Sequence, residues 1–267
     1  MLPEERRLQI VEQVRAWPLV RADELARRFG VSIETVRRDL DALQRDGVLR
    51  RVYGGATGIG ARVAPHTLEA PFDQRQELYL ERKRAIGRLA ASLVGPTDTL
   101  LLDIGTTVAE LARALPDDYR GRVLTNSLPV VAEVCRRQGV EVDLSGGRVR
   151  GGDLACSGAH AEAFFAEWYA DKAFLGSGGV HAEVGLTDYH PDEVATRRVM
   201  LAHAAEQYVL ADSSKLGQVA LRKVCDLDQL TAVITDDLVE PAVAGQFEDK
   251  GVRVLVAATG DAWRETG

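Results

Sequence analysis

From Thr99 to Ala258 seven short apolar runs, TLLLDIG, RVLTNS, VEVDLSGG, KAFLGSGG, QYVLADSS, LTAVITDD and VRVLVAA, alternate with stretches of helical apolar period. Each run is short and bounded by small or turn-forming residues, so it reads as a strand rather than a helix. Strand and helix in strict alternation build a mostly parallel sheet, because parallel neighbours need a crossover and a helix supplies it. An α/β body is therefore expected for the larger part of the chain.

In open sheets of this kind, ligands sit beyond the carboxyl ends of the strands. Those ends are small and polar here: Asp103-Ile104-Gly105-Thr106-Thr107, Thr125-Asn126-Ser127, Ser145-Gly146-Gly147, Gly176-Ser177-Gly178-Gly179 and Asp212-Ser213-Ser214-Lys215. The sharpest is DIGTTVAELARAL. A strand ends at Asp103, Gly105 lets the backbone turn closely, and Thr106 and Thr107 place hydroxyls where a helix begins, so that free N–H groups and the positive end of the helix dipole face a phosphate. The alternative is that one threonine merely caps the helix. Neither G-x-G-x-x-G nor G-x-x-x-x-G-K-(S/T) accompanies the loop, which points away from dinucleotides and nucleoside triphosphates and toward a smaller phosphorylated ligand. Lys172, at a strand start, and Lys215, at a strand end, are compact charges suited to such a ligand. A lysine at a strand edge is also an ordinary guard against edge pairing.

The N-terminal sixty residues follow a different pattern. Ile10, Val11, Val14 and Trp17 lie on one arc of a helix that Pro18 stops; Ala22, Leu25, Ala26 and Phe29 form a second, with Gly30 placed as a left-handed cap. Ser32 caps a third helix, whose stripe is Ile33, Val36, Leu40 and Leu43 and which Gly47 ends. Helix, tight turn and helix, followed by the β-hairpin pattern VLRRVYGGA, is the spacing of a winged helix-turn-helix. Thr35 and Arg38 then face a groove, with Arg37, Arg50, Arg51 and Tyr53 near phosphates. Against this, Glu34 with Arg38 and Arg37 with Asp41 are opposite-charge pairs that stabilise an exposed helix by about 0.2–0.5 kcal/mol each without any partner.

Charge divides along the same line. The whole chain of 267 residues carries −7, yet residues 1–57 hold 11 arginines against 9 carboxylates, and the remainder 22 basic against 31 acidic residues. A mildly basic head on an acidic body is compatible with nucleic acid without requiring it. Residues 1–57 are expected as the head, 58–71, rich in Gly and Pro, as a linker, and 72–267 as the body, opening with one long helix from near Phe72 to Val94. Three cysteines without a C-x-x-C pair argue against a disulfide framework or thiolate zinc site and for buried reduced thiols. No leader-like or membrane-spanning apolar run occurs, so a soluble cytoplasmic protein is expected.

The segments RRLQIVEQV and ELARRFGVSIETVRRDLDALQRDGVLRRVYGGA resemble the winged helix of the DeoR-type bacterial transcriptional regulators, whose recognition helix reads VS-x-x-T-(I/V)-RRDL-x-x-L before a G-x-(L/I)-x-R-x-(H/Y)-GGA wing. One departure is Arg21, where many relatives have a better-capping Ser or Thr. LLLDIGTTV, VLTNS, LSGGRVR, DKAFLGSGGV, GLTD and LADSSKLG extend the resemblance along nearly the whole body, to a sensor domain similar in fold to ribose-5-phosphate isomerase. The resemblance implies operator DNA as partner, contacted through Ser32, Thr35, Arg37, Arg38, Arg50, Arg51 and Tyr53. It implies a phosphorylated-sugar effector held by Asp103, Gly105, Thr106, Thr107, Asn126, Ser127, Gly146, Gly147, Lys172 and Lys215. A homo-oligomer without cofactor, acting as repressor of a carbohydrate-catabolism operon, is the expected whole.

Two other readings make different demands. A sugar-phosphate isomerase needs a general base, and Asp103 or Asp188 are the carboxylates available. A protein-docking head would bind without steep salt dependence. His66, His160, His181, His190 and His203 show no i, i+4 pairing and no neighbouring cysteine, so no metal site is expected.

Overall fold

The computed structural model describes residues 3–16, 20–52, 55–58 and 72–259, in two compact units, Met1–Thr67 and Leu68–Gly267. The expected linker falls almost wholly outside the described residues.

In the first unit α1 (Pro3–Ala16), α2 (Ala22–Phe29) and α3 (Ile33–Arg45) are joined by the short β1 (Val20–Arg21) and followed by β2 (Leu49–Val52) and β3 (Gly55–Gly58). Ile10, Val14, Leu25, Val36, Leu40 and Leu43 meet in one core with Leu49 and Ala56. Gly30 and Gly47 take φ of +63° and +66° with open space where a Cβ would stand, so the backbone conformation alone demands glycine there. β2 and β3 pair antiparallel from Leu49↔Gly58 to Val52↔Gly55, as the hairpin pattern predicts. β1 adds a third strand on the far side of β3; two residues are too few to show a period.

Two details of α3 differ from expectation. Ile33 is exposed rather than on the apolar stripe, because it opens the first turn, and Val31 packs partly buried against the core just before it. Asp39 is buried. Its carboxylate accepts from Arg6 Nε at 2.5 Å and from Arg7 Nε at 3.1 Å, tying α1 to α3.

The second unit opens with α4 (Phe72–Glu77) and α5 (Leu80–Ala91). The single long helix expected here is broken at Tyr79, which lies in the left-handed region at φ 55°. There follow β4 (Thr99–Leu102), α6 (Thr106–Ala114), β5 (Arg122–Thr125), α7 (Leu128–Val134), β6 (Glu141–Leu144), β7 (Arg148–Arg150), β8 (Ala155–Ser157), α8 (Ala159–Ala166) and β9 (Ala170–Leu175). The chain continues through β10 (Gly179–His181), β11 (Gly185–Asp188), α9 (Pro191–Ala202), β12 (Ala204–Leu210), β13 (Arg222–Cys225), β14 (Ala232–Asp236), α10 (Pro241–Glu248) and β15 (Arg253–Ala257).

The seven apolar runs form one seven-stranded sheet in the order β15-β14-β12-β9-β4-β5-β6. Every adjacent pair is parallel. Side chains alternate across it. Leu101, Ala173, Leu175, Val209 and Val233 pack under Phe165, Met200 and Phe247, while Leu100, Leu102, Phe174, Leu210 and Ile234 pack under Ile86, Val108, Leu111 and Val130. Both faces are thus covered, as a parallel sheet requires. The sheet grows one way from β4 to β6 and the other way from β9 to β15, so its topological switch point lies between β4 and β9.

A separate antiparallel sheet, β10-β11-β13, and the hairpin β7-β8 were not anticipated; their three- and four-residue strands carry no clear alternation. Cys156 and Cys225 are buried thiols, but Cys135, at the end of the short α7, is exposed. Among the described residues no helix is long and apolar enough to cross a membrane.

Candidate effector cavity and nucleic-acid interface

At the switch point the carboxyl ends of β4 and β9 approach closely. A Cβ on Gly176 would stand 2.6 Å from the Ile104 carbonyl oxygen, so the approach excludes any side chain there. Asp103, buried behind the loop, accepts from Gly176 N at 2.9 Å and from Arg197 Nε at 2.5 Å. Arg197, on α9, also donates to Asp188 and has Glu193 3.8 Å away. This charged constellation is almost fully withdrawn from water.

A cavity of about 20 Å³ lies in front of it, lined by Gly105, Thr106, Thr107, Ser177, Lys215 and Arg75 among others. That is room for about one water molecule. Gly105 is the N-cap of α6, and no side-chain hydrogen bond caps that helix. The threonines are therefore not its cap, and the capping alternative does not describe this turn. Lys215 gives its ammonium to the Ser177 carbonyl. Asp212 caps the turn that carries Lys215, accepting from Ser214 N at 3.1 Å. A helix N-terminus, two hydroxyls and cations around one small space can receive an anion with several oxygens. A larger groove of about 930 Å³ beside Arg198, Lys223 and Gln229 has neither the strand-end loops nor the helix terminus.

The other residues expected at the site fall elsewhere. Lys172 stands near the amino end of β9, paired with Asp98 Oδ2 at 2.6 Å, on the opposite rim from the cavity. Its position at a strand start, as expected, is what sets it on the rim away from the strand-end loops. Asn126 reaches across to the Cys156 carbonyl at 3.1 Å, with its Oδ1 buried and unpaired, and Ser127 caps α7 by accepting from Val130 N. Gly146 and Gly147 turn the chain after the edge strand β6 at φ 67° and 96°. None of these four lines the cavity.

Sequence reasoning missed Arg75, Lys83, Glu193 and Arg197. The last three sit on buried helix faces, Lys83 in register with Ile86, Gly87 and Ala90, and Arg197 with Val194 and Met200. A charge on an apolar stripe was the available signal. Lys83 donates to the Arg75 carbonyl. Burial pulls its pKa down to about 8 against the opposing pull of Asp212. Asp188 shows the reverse balance: burial would raise its carboxyl, but Arg197 and the N–H groups of His190 and Tyr189 hold it below the usual carboxylate range. A carboxylate so stabilised is a poor proton acceptor, the opposite of what isomerisation asks of its base. The ligand atoms of Asp153, His190 and Glu193 lie within 4.8 Å of one another. Arg150 binds both carboxylates, Asp153 at 2.7 Å, and supplies the counter-charge there.

In the first unit Ser32 caps α3, accepting from Thr35 N at 3.1 Å, and its hydroxyl meets that of Thr35 at 2.8 Å. Arg37 and Arg38 both project into solvent and gather on Glu34, at 3.9 and 3.6 Å. Pairs this exposed are worth a few tenths of a kcal/mol, so exchanging Glu34 for a phosphate or a base edge costs little. Arg50 and Arg51 lie on β2, with side chains outside the described residues, as is Tyr53.

Residues 6–61 match the DeoR-like helix-turn-helix domain and residues 79–237 the DeoR C terminal sensor domain. The chain belongs to the DeoR family. It is 33% identical to the HTH-type transcriptional regulator GlpR of Haloferax volcanii, over 96% of this chain and 98% of that one. It is 31% identical to the HTH-type transcriptional repressor CsqR of Escherichia coli, over 88% of each. The lactose phosphotransferase system repressor of Staphylococcus epidermidis is 34% identical, over 82% of this chain and 86% of its own. Among solved structures, ribose 5-phosphate isomerase from Methanocaldococcus jannaschii covers 50% of this chain and 52% of its own at a TM-score of 0.37 and 18% identity, too distant to bear on function. DeoR members are named as regulators and repressors of transcription, and this chain, with both DeoR domains, is a DNA-binding transcriptional regulator rather than an enzyme.

Proposed function

We propose that this DeoR-type regulator represses a carbohydrate-catabolism operon and that a phosphorylated sugar, bound at the switch-point cavity, adjusts its hold on operator DNA. The observation that carries the reading is the α6 N-terminus, free of any side-chain cap, opening with Thr106 and Thr107 beside Lys215. The phosphate would sit on those N–H groups and hydroxyls, with Gly105 allowing close approach and Asp103 holding the loop through Gly176 and Arg197. Names of relatives such as the lactose phosphotransferase system repressor lend support to a sugar-linked role.

On the DNA side, Thr35 and Arg38 read base edges in the major groove, Ser32 fixes the helix start, and Arg37, Arg50, Arg51 and Tyr53 hold phosphates. Operators repeat their half-sites, so the regulator acts as a homo-oligomer. The test is titration of the chain against its own upstream DNA at two salt concentrations, with and without hexose, pentose and triose phosphates and the matching free sugars. Tight, salt-dependent binding altered by a phosphorylated compound and not by its free sugar is expected. Turnover of a sugar phosphate without DNA binding at low salt would overturn the reading, and the particle mass in the same solutions tests the oligomer.

A further inference from the structure

The first element of the body, α4, is fastened to the turn between β7 and β8. Phe72 N donates to the Gly152 carbonyl at 2.7 Å, and the Arg75 guanidinium pairs with Asp153. Arg75 is at the same time part of the cavity wall. Both members of the pair are buried, so their attraction is little screened. Among the described residues two that are not glycine adopt left-handed φ, Tyr79 and Leu154. Tyr79 is the joint between α4 and α5; Leu154 directly follows Asp153. Backbone strain of this kind persists where the surroundings hold it, and it collects at clamps and switches.

The cations around the cavity differ in how they are held. Arg197 is enclosed by Asp103, Asp188 and Glu193, and Lys215 is directed at a carbonyl. Arg75 rides on a helix of six residues and faces Asp153, which need not be left unpaired if Arg75 departs, because Arg150 Nε already donates to its other oxygen at 2.7 Å. A guanidinium fork matches phosphate as well as carboxylate. The cavity is small and Arg75 is part of its wall together with Lys215 and the threonines of the α6 N-terminus, so an anion received there meets the guanidinium.

We infer that Arg75 is a ligand of the effector's phosphate, which it takes in exchange for Asp153, and that this exchange passes occupancy of the cavity to α4. α4 is the first described element of the second unit. The inference rests on the reading that the cavity takes a phosphorylated compound.

Calorimetric titration of the full chain with inorganic phosphate and with the sugar-phosphate series, together with amide exchange over residues 72–79, tests it. Arg75→Gln is expected to weaken binding by about tenfold or more, and Asp153→Asn, which removes the competing charge, to strengthen it by about threefold. Ligand should change exchange in α4 of the wild type and not of Arg75→Gln. If both substitutions weaken binding and lower Tm together, the pair is a structural brace and the inference fails. Unchanged affinity in Arg75→Gln, with the wild type binding, defeats it alone; no binding by the wild type defeats the cavity reading as well. Should Arg75→Gln not fold, Arg75→Lys keeps the charge without the fork, and a severalfold loss at unchanged Tm is expected, whereas unchanged affinity again overturns it.

Discussion

Arg197 and Asp103, 94 positions apart in the chain, meet with Nε 2.5 Å from Oδ2 beneath the switch point of the sheet. The contact joins α9 to the end of β4, and the same carboxylate oxygen holds the backbone of Gly176 after β9. Removing the guanidinium strands two buried carboxylates. Arg197→Met is expected to destabilise the sensor unit by about 3–5 kcal/mol, whereas Asp103→Asn, which still accepts from Gly176 and leaves Arg197 with Asp188, costs clearly less. Urea unfolding of the two variants decides; equal losses would mean the pair does not carry the site in the way described.

In the head, the cap of α3 and the proposed base contact can be tested separately. Ser32→Ala removes the cap of α3 and is expected to cost about 1 kcal/mol of stability, visible as a lower melting temperature of the first unit. Arg38→Ala touches an exposed pair and should leave stability within about 0.5 kcal/mol.

DNA titrations then distinguish the arginines. Arg38→Ala is expected to weaken specific binding by about 1–3 kcal/mol and relax preference at one base position. Arg51→Ala should weaken all sequences alike and reduce the salt slope by about one. Equal, small effects from both would mean that the arginines serve the helix surface and not DNA.

Effector control is expected to fail in Thr106→Val combined with Lys215→Ala while operator binding in the absence of ligand persists. Loss of operator binding along with the response would place these residues in the support of the fold instead.

Lys83 makes a pH prediction. Its pKa in the folded chain, about 8, lies below the ordinary 10.5, so between these values the unfolded chain keeps a proton that the folded chain has lost. Stability from this group therefore rises with pH across that window, by up to about 1.4 kcal/mol per unit, and is flat below it. Lys83→Met removes the rise. The wild type should gain stability relative to the variant as pH climbs from about 8 to about 10.5; a difference that stays constant across this range would show that burial does not lower the Lys83 pKa.

The amino-acid sequence by itself determined the pieces that depend on near neighbours in the chain. Seven apolar runs became the seven strands of the parallel sheet, Gly30 and Gly47 ended their helices in the left-handed region, and Ser32 capped α3. The polar strand ends were legible too, Gly105, Thr106, Thr107 and Lys215 among them. Tertiary structure decided which strands lie side by side, and so that β4 and β9 flank the cavity while β6 and its glycines stand at the edge. It also placed Lys172 on the rim opposite the cavity and brought Arg75, Glu193 and Arg197 to the cavity wall. Periodicity and capping arise from hydrogen bonds and sterics within a few residues, whereas strand order and buried charge pairing arise from contacts between segments far apart, whose pairing no local pattern encodes.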